Sequence, residues 1–192
     1  MRNIIVALVL GIGFSAVADA APAAQIWTID PVHSTAQFTA RHFGIVPVIG
    51  TIPIKSANVQ LKEGSQIPIA VSAELDPANL DTHNDMRDAD LRSSHYFSVD
   101  TDPAMTFTST KVACTDPKHF TIEGNLTMRG QTHPVSLDAQ VVASGKTPRG
   151  RSVIAYSATA TIDRTQWGMT FGPLIVGNSV DISLNVEADA PQ

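Results

Sequence analysis

Cysteine, aromatic residues and basic side chains are all scarce in this chain, and the shortages restrict what it can be. The lone cysteine, Cys114, excludes an internal disulfide framework and leaves three roles open: a cross-link between two chains, an oxidant-sensitive thiol or a small buried hydrophobe. The net charge of -5 argues against a general binder of nucleic acid or anionic membranes, because an acidic surface attracts neither phosphates nor anionic headgroups.

Sequence motifs for common catalytic chemistries are also absent. No serine lies in a G-x-S-x-G pattern, and the chain has neither a P-loop nor a G-x-G-x-x-G sequence. It likewise has no H-E-x-x-H pattern and no cysteine pair that would indicate a zinc site. We therefore expect a protein that is not an enzyme and holds neither a metal nor a resident cofactor.

Long apolar runs are missing except at the beginning of the chain. Within residues 1–20, Arg2 provides a positive start, residues 4–14 are apolar but too few to span a bilayer comfortably, and Ala18-Asp19-Ala20 fits an A-x-A cleavage site. We predict that residues 1–20 are a cleaved signal peptide and that residues 21–192 form one exported domain. Because no comparable run follows, we expect no stable membrane insertion of the mature chain.

Alternation of apolar and polar residues dominates the rest of the chain and predicts β-strands. A slip in this alternation near Ser56-Ala57 predicts a β-bulge. Strands with one apolar face must bury it, so the pattern indicates an all-β sandwich or a closed barrel, and eight strands would form a barrel wide enough for one slender ligand. The eight candidate strands are Ser34–Phe43, Thr51–Leu61, Ile67–Asp76, Met105–Ala113, His119–Met128, Pro134–Ala143, Ser152–Asp163 and Val180–Asp189.

Two segments depart from the strand pattern. Residues 81–97 are polar and almost free of β-branched residues, which predicts a short helix capped by Asp81 or Thr82. Residues 164–179 form a long connection that contains Trp167 and three glycines, and connections of this length in compact domains are usually functional or disordered. The aromatic content of this connection favours an ordered loop.

Two histidines nine positions apart, His33 and His42, flank the first candidate strand. Side chains alternate between the two faces of a strand, so an odd separation places these rings on opposite faces and argues against a shared metal. His42 has the same parity as Ala36, Phe38 and Ala40, which predicts that it points inward. It is then either a hydrogen-bonded core residue or a ligand contact. We expect His33 to secure the start of the strand through hydrogen bonds.

Large aromatic side chains are candidates for the lining of an internal cavity, although ordinary core packing is the alternative for each of them. They are Phe43, Phe97, Phe107, Trp167 and Phe171. The polar helix carries His83, several aspartates and His95, and these side chains suit either a solvated helix with salt bridges or a metal site.

Five blocks of sequence resemble the YceI-like family of bacterial periplasmic proteins, in the order that the family has. They are "WTIDPVHSTAQFTARH", "RDADLRSSHYFSVDTDPAMTFTST", "GNLTMRGQTHPVSL", "IDRTQWGM" and "VGNSVDISLNVEA". The resemblance runs from about Trp27 to Ala188 and implies an extended lipocalin-like antiparallel β-barrel of eight strands with a long hydrophobic channel. It also implies a periplasmic location, and a bound isoprenoid or fatty amphiphile as ligand.

On this basis we expect a periplasmic protein that sequesters or carries such a lipid. The expected ligand contacts are Phe38, His42, Phe43, Arg87, Arg92, Phe97, Phe107, Arg164, Trp167 and Phe171, the arginines near the polar head. A metal- or haem-dependent redox or enzyme accessory protein that uses His42, His83 or His95 is the alternative. Association as a homodimer is compatible with either function.

Overall fold

Residues 24–114 and 116–191 are described by a computed structural model, and they form a β-barrel with one short α-helix. The segment predicted to be a signal peptide, residues 1–20, lies outside these described residues. The strands are β1 (Gln25–Ile29), β2 (Thr35–His42), β3 (Val46–Thr51), β4 (Ile54–Leu61), β5 (Pro68–Leu75), β6 (Met105–Cys114), β7 (His119–Met128), β8 (Gln131–Lys146), β9 (Ser152–Asp163) and β10 (Val176–Asp189).

All strand pairs are antiparallel, and the sheet closes on itself through β1 and β10, where Thr28 pairs with Asp189. From β4 to β10 each strand pairs with the next one in the chain. Both β1 and β2 pair with β10, while β4 pairs with β1 and β3 pairs with β2, so these four short strands fill two positions of the barrel. The predicted all-β, eight-stranded antiparallel barrel is therefore confirmed.

Two β-bulges set the register between β4 and β5. Lys55 is an extra residue in β4, between the paired residues Ile54 and Ser56, which confirms the bulge expected from the slip in alternation. Ile69 is an extra residue in β5, opposite the step from Gln60 to Leu61. Strict alternation from Ile67 to Leu75 would place Ile69 on the same face as Val71, but the bulge leaves the side chain of Ile69 41% exposed.

Two strands escaped the sequence prediction because each is short and adjoins a break in the pattern. The five residues of β1 come before the corner at Asp30. The segment predicted as one strand from Thr51 to Leu61 instead contains the end of β3 and all of β4. Pro53 lies between these two strands, where it has no backbone N–H for a ladder.

The connection between β5 and β6 contains helix α1, Asp85–Arg92, preceded by a 3-10 turn at Pro77–Asn79. The side chain of Asn84 caps α1 by accepting a hydrogen bond from the backbone N–H of Arg87, so the cap predicted at Asp81 or Thr82 was wrong. Asp81 instead joins Thr51 of β3 through two backbone hydrogen bonds. This bridge attaches the helical connection to the barrel.

Side chains from most strands converge on an apolar core inside the barrel, in which Phe120 and Leu61 are 1% exposed. Cys114, by contrast, is exposed at the end of β6, so its role as a buried hydrophobe is excluded. Within the described part of the chain, no helix has the length and apolarity needed to cross a membrane.

Candidate ligand-binding cavity

The barrel encloses an inner chamber of about 150 Å³ that is surrounded by apolar side chains. Residues from nine of the ten strands contribute to its lining, and Tyr156 and Ser157 are the only lining residues with polar side chains. The Tyr156 hydroxyl donates a hydrogen bond to the backbone oxygen of Gln66 at 2.8 Å, so it is already satisfied. Representative lining residues are Val59, Val71, Phe107, Ile122, Leu137 and Val186.

A middle chamber of about 110 Å³ lies next to the inner one. The two chambers share part of their lining, which is why we treat them as consecutive parts of one cavity. The shared residues are Ala36, Leu75, Met105, Ile182 and Leu184. The connection that contains α1 contributes Leu91, Tyr96 and Phe97 to the middle chamber, so this connection covers one end of the barrel.

A third space, the vestibule, has a volume of about 420 Å³ and adjoins the middle chamber. Both spaces are lined by Phe38, Ala40, Leu91, Tyr96 and Val176. The vestibule is more polar than the chambers, because three charged or titratable side chains that line neither chamber contribute to it. These are His42, Arg87 and Asp90, and they stand beside Met86, Phe171 and Ile175.

The three spaces therefore form a series in which polarity increases outward. The inner chamber suits an apolar chain, because the removal of each methylene group from water is worth about 0.8 kcal/mol. The vestibule suits a polar head, because it offers charged groups at the outer end of the apolar path. This graded order matches an elongated amphiphile rather than a compact polar molecule.

Two glycines keep the phenylalanine rings out of the centre of the barrel. A Cβ atom on Gly50 would lie 2.4 Å from Cζ of Phe38, which is the cross-strand partner of Gly50. A Cβ atom on Gly124 would lie 2.3 Å from Cζ of Phe107. Because these glycines have no side chain, each ring can lie flat against the neighbouring strand. The space saved in this way belongs to the middle and inner chambers.

The inward face of β2 follows the alternation found in the sequence. Ala36, Phe38 and Ala40 line the middle chamber, and His42 continues the same face into the vestibule. Ligand contact by His42 stays a prediction. His33 precedes β2, which begins at Thr35, and its Nδ1 lies 2.9 Å from Oδ2 of Asp30. The argument from strand parity therefore does not reach His33, and the two histidines lie at opposite ends of β2 instead.

Arg164 lies at the start of the long connection between β9 and β10, and its side chain is 3% exposed. Its guanidinium group donates to the backbone oxygens of Met169, Phe171, Val176 and Gly177 and to the side chain of Asn178. All five N–H groups are therefore engaged. Burial lowers the pKa of the Arg164 guanidinium.

The engaged donors of Arg164 have a consequence for the expected lipid contacts. Although Arg164 lines the middle chamber, the hydrogen bonds to its own connection leave it no spare donor for a lipid head. We call Arg164 the clamp of residues 168–178, because its hydrogen bonds hold this segment in one conformation. The long connection is therefore ordered, as predicted.

Of the other two arginines expected near a lipid head, only Arg87 reaches the vestibule. Its Nε and Nη2 donate to Thr82 at 2.7 Å and 2.6 Å, and its Nη1 makes no hydrogen bond to any described residue. Nη1 is thus the donor best placed for an anionic or hydroxyl head. Arg92 is half-buried at the end of α1 and lines none of the three spaces.

The predicted aromatic contacts divide among the cavity, the packed core and the surface. Phe107 lines the inner chamber, Phe97 the middle chamber and Phe171 the vestibule. Trp167 is 1% exposed and donates through Nε1 to the backbone oxygen of Leu126, which places it in ordinary core packing. Phe43 is 60% exposed at the turn between β2 and β3, outside all three spaces.

Sequence reasoning missed several lining residues because they lie outside the strand pattern or carry flexible apolar side chains. Methionines contribute three of them, Met105, Met128 and Met169, and such side chains adapt to irregular gaps. Tyr96 lines both the middle chamber and the vestibule, and burial raises the pKa of its hydroxyl. Its position in the segment "SSHYF", between a histidine and a phenylalanine already noted as candidates, was the sequence feature that could have indicated a lining residue.

The histidines of the metal alternative, His42, His83 and His95, do not belong to a cluster of potential cation ligands among the described residues. Among the described residues, only Asp30, His33 and Glu187 form a group of three that could share a cation. The carboxyl of Asp30 is paired with His33 and accepts a hydrogen bond from the backbone N–H of Val32, and these contacts lower its pKa. His42, His83 and His95 lie outside this group; His83 and His95 pair with Asp81 and Asp90 respectively.

Sequence comparison places residues 27–188 in a match to the YceI-like domain family model. A UPF0312 protein of Staphylococcus epidermidis is 29% identical over 167 residues, which are 85% of this chain and 94% of that protein. A UPF0312 protein of Pectobacterium atrosepticum is 30% identical over 157 residues, which are 81% of this chain and 80% of that protein.

Solved structures share the fold. BcnA of Burkholderia cenocepacia superposes with a TM-score of 0.73 at 19% identity, covering 83% of this chain and 98% of that one. A polyisoprenoid-binding domain of Saccharophagus degradans gives a TM-score of 0.64 at 13% identity over 86% of this chain and 98% of that domain. The YceI protein of Campylobacter jejuni gives 0.71 at 24% identity, over 79% and 90% respectively. With a family match that spans most of its length, this chain belongs to the YceI-like family.

Proposed function

We propose that this protein binds one elongated amphiphile of the isoprenoid or fatty class and carries it through the periplasm without altering it chemically. The observation that carries the proposal is the apolar cavity in three parts, in which charged side chains gather at the outer end and Arg164, which lines the middle chamber, has every N–H group already bonded. The structural relative from Saccharophagus degradans, described as a polyisoprenoid-binding domain, supports the ligand class.

The tail would occupy the inner and middle chambers, and the head would occupy the vestibule. Transfer of the tail from water is favourable by about 0.8 kcal/mol for each buried methylene group, so chain length should govern affinity. Nη1 of Arg87 and the ring of His42 are the groups in the vestibule that would contact the head. This function requires neither a nucleophile nor a metal.

Identification of the bound molecule in protein purified from its own host tests the proposal. Native mass spectrometry should show an adduct, and solvent extraction should release one class of prenyl or fatty lipid. Delipidated protein should then bind added prenyl alcohols with affinity that rises with chain length. Absence of both a co-purified lipid and binding of an added one would refute the proposal.

The periplasmic part of the proposal has its own test. The N-terminal sequence of the protein recovered from an osmotic-shock fraction should begin at Ala21 if residues 1–20 are removed on export. A chain that retains these residues, or that stays in the cytoplasmic fraction, would contradict the location while leaving lipid binding intact.

A further inference from the structure

Large apolar side chains stand exposed around the vestibule, in an arrangement that we call the apolar rim. Leu174 is 88% exposed, Ile45 is 76% exposed and Val46 is 56% exposed. The rim consists of Phe43, Ile45 and Val46 at the turn between β2 and β3, Leu174 and Ile175 in the connection before β10, and Met86 of α1. Contiguous exposed apolar surface of this kind usually marks a contact with a protein or a membrane.

Backbone hydrogen bonds hold the two main parts of the rim together. The N–H of Phe43 donates to the backbone oxygen of Ile175 at 2.7 Å, which ties the hairpin turn to the neighbouring connection. The turn is closed by a bond from Ile45 N–H to the oxygen of His42 at 3.0 Å. The rim is therefore a built feature rather than two independent loops.

The conformation of the turn presents an aromatic ring to the exterior. Phe43 and Gly44 both have positive φ, 51° and 69°, as a tight hairpin turn requires. Glycine adopts this conformation freely, whereas a bulky residue such as Phe43 is an outlier there. Because most of the Phe43 side chain remains exposed, burial within the described chain does not explain the choice of residue.

The charge pattern of the rim contrasts with that of the whole chain. The protein has 18 acidic residues, yet residues 42–54 and 165–180 contain no charged side chain. Arg41 is the charged residue that adjoins the hairpin turn. An acidic group held against a lipid surface would lose hydration without gaining a partner, so two uncharged segments suit contact with lipid.

We propose that the apolar rim docks on the surface of a lipid bilayer, so that the vestibule opens onto the lipid and the ligand exchanges without crossing water. The continuity of the rim with the vestibule favours a bilayer over a second copy of the chain, since a second copy would cover the opening. This inference rests on the proposed function. It describes reversible surface contact, and the rim side chains would reach only the interfacial region.

Vesicle co-sedimentation of the mature chain tests the docking. Two rim substitutions, Ile45→Ser and Leu174→Ser, remove exposed apolar groups at positions where little packing is lost. The matched control carries Val32→Ser and Val142→Ser, which are also exposed but lie at the corner before β2 and in the middle of β8. We expect the rim variant to bind phosphatidylcholine vesicles about ten-fold more weakly than the wild type, and the control to match the wild type.

Vesicles that also contain phosphatidylglycerol should bind no more strongly, because the two main rim segments are uncharged, Met86 stands between Asp85 and Arg87, and the net charge of the protein is -5. The docking proposal is overturned if the wild type binds neither kind of vesicle or if the rim and control variants bind equally. It is also overturned if light scattering shows a wild-type dimer that the rim substitutions dissociate, since a second copy would then cover the rim.

A parallel measurement separates this inference from the proposed function. Binding of a short prenyl alcohol dissolved in buffer depends on the chambers alone, so the rim variant should retain wild-type affinity for it. Transfer of a fluorescent prenyl lipid from vesicles should slow about ten-fold in the rim variant and stay unchanged in the control. If the wild type fails to bind the dissolved alcohol, the proposed function fails whatever the vesicle result.

Discussion

Ala36 is the point at which the length of the ligand tail can be tested. Its side chain is 7% exposed and lines both the middle and the inner chamber. The substitution Ala36→Phe places a ring between the two chambers. Of the two, the inner chamber is the larger, about 150 Å³ against about 110 Å³, so more than half of the interior space lies beyond the substituted position.

The expected loss of affinity follows from the methylene groups that the ring excludes. A tail with about eight such groups in the two chambers would lose at least about four of them, each worth about 0.8 kcal/mol. The binding free energy therefore weakens by about 3 kcal/mol, or roughly two orders of magnitude in Kd. Short ligands that fill only the middle chamber should be affected far less.

Calorimetric titration of delipidated protein with prenyl alcohols of increasing length provides the assay. For the wild type, affinity should rise with each added unit until both chambers are full; for Ala36→Phe it should level off at a shorter chain. Thr35→Phe is the matched control, since it adds the same ring to the exposed face of the same strand. An unchanged dependence on chain length in Ala36→Phe would refute the assignment of the inner chamber to the tail.

Three further predictions concern the wall, the long connection and pH. Gly50→Ala should push Phe38 into the middle chamber, which should weaken ligand binding and lower the free energy of unfolding by about 1–3 kcal/mol in a denaturant titration. Gly145 has open space around it, so Gly145→Ala should change neither ligand binding nor stability. Arg164→Met should lower the free energy of unfolding by about 3 kcal/mol or more, and hydrogen exchange should show faster opening of residues 168–178; slow exchange there would contradict the clamp. Burial raises the pKa of Tyr156, so the folded state holds this proton more tightly than the unfolded state, and stability should fall as the pH rises above about 10; Tyr156→Phe should flatten that fall in a pH series of thermal melts.

Much of the barrel wall could be predicted because strand alternation is a local property. On β9, the sequence places Tyr156, Ala158 and Ile162 on one face, and the structure finds all three lining the chambers. The same argument failed at Ile69, because a bulge depends on the partner strand as well as on the strand itself. Periodicity thus predicts which face is inward only until the register changes.

The candidate site was harder to predict than the wall. Arg164 and Trp167 were expected to contact a ligand, but hydrogen bonds to backbone oxygens and, for Arg164, to the side chain of Asn178 engage every donor of both side chains. Sequence reveals a residue's chemistry but not the partners that satisfy its donors, because the fold brings those partners into reach. For Trp167, that partner is the oxygen of Leu126, 41 positions away.

The sequence by itself determined the all-β class and the inward face of β2, because each follows from the two-residue period of a strand. Only the tertiary structure decided how β1 and β4 close the barrel, and that Gly50 and Gly124 hold the rings of Phe38 and Phe107 against the wall. Closure of the barrel and the space at these two glycines both depend on which residues of neighbouring strands face each other, not on the order of residues within one strand. The size of the cavity is therefore a property of strand pairing, which no single segment of the sequence contains.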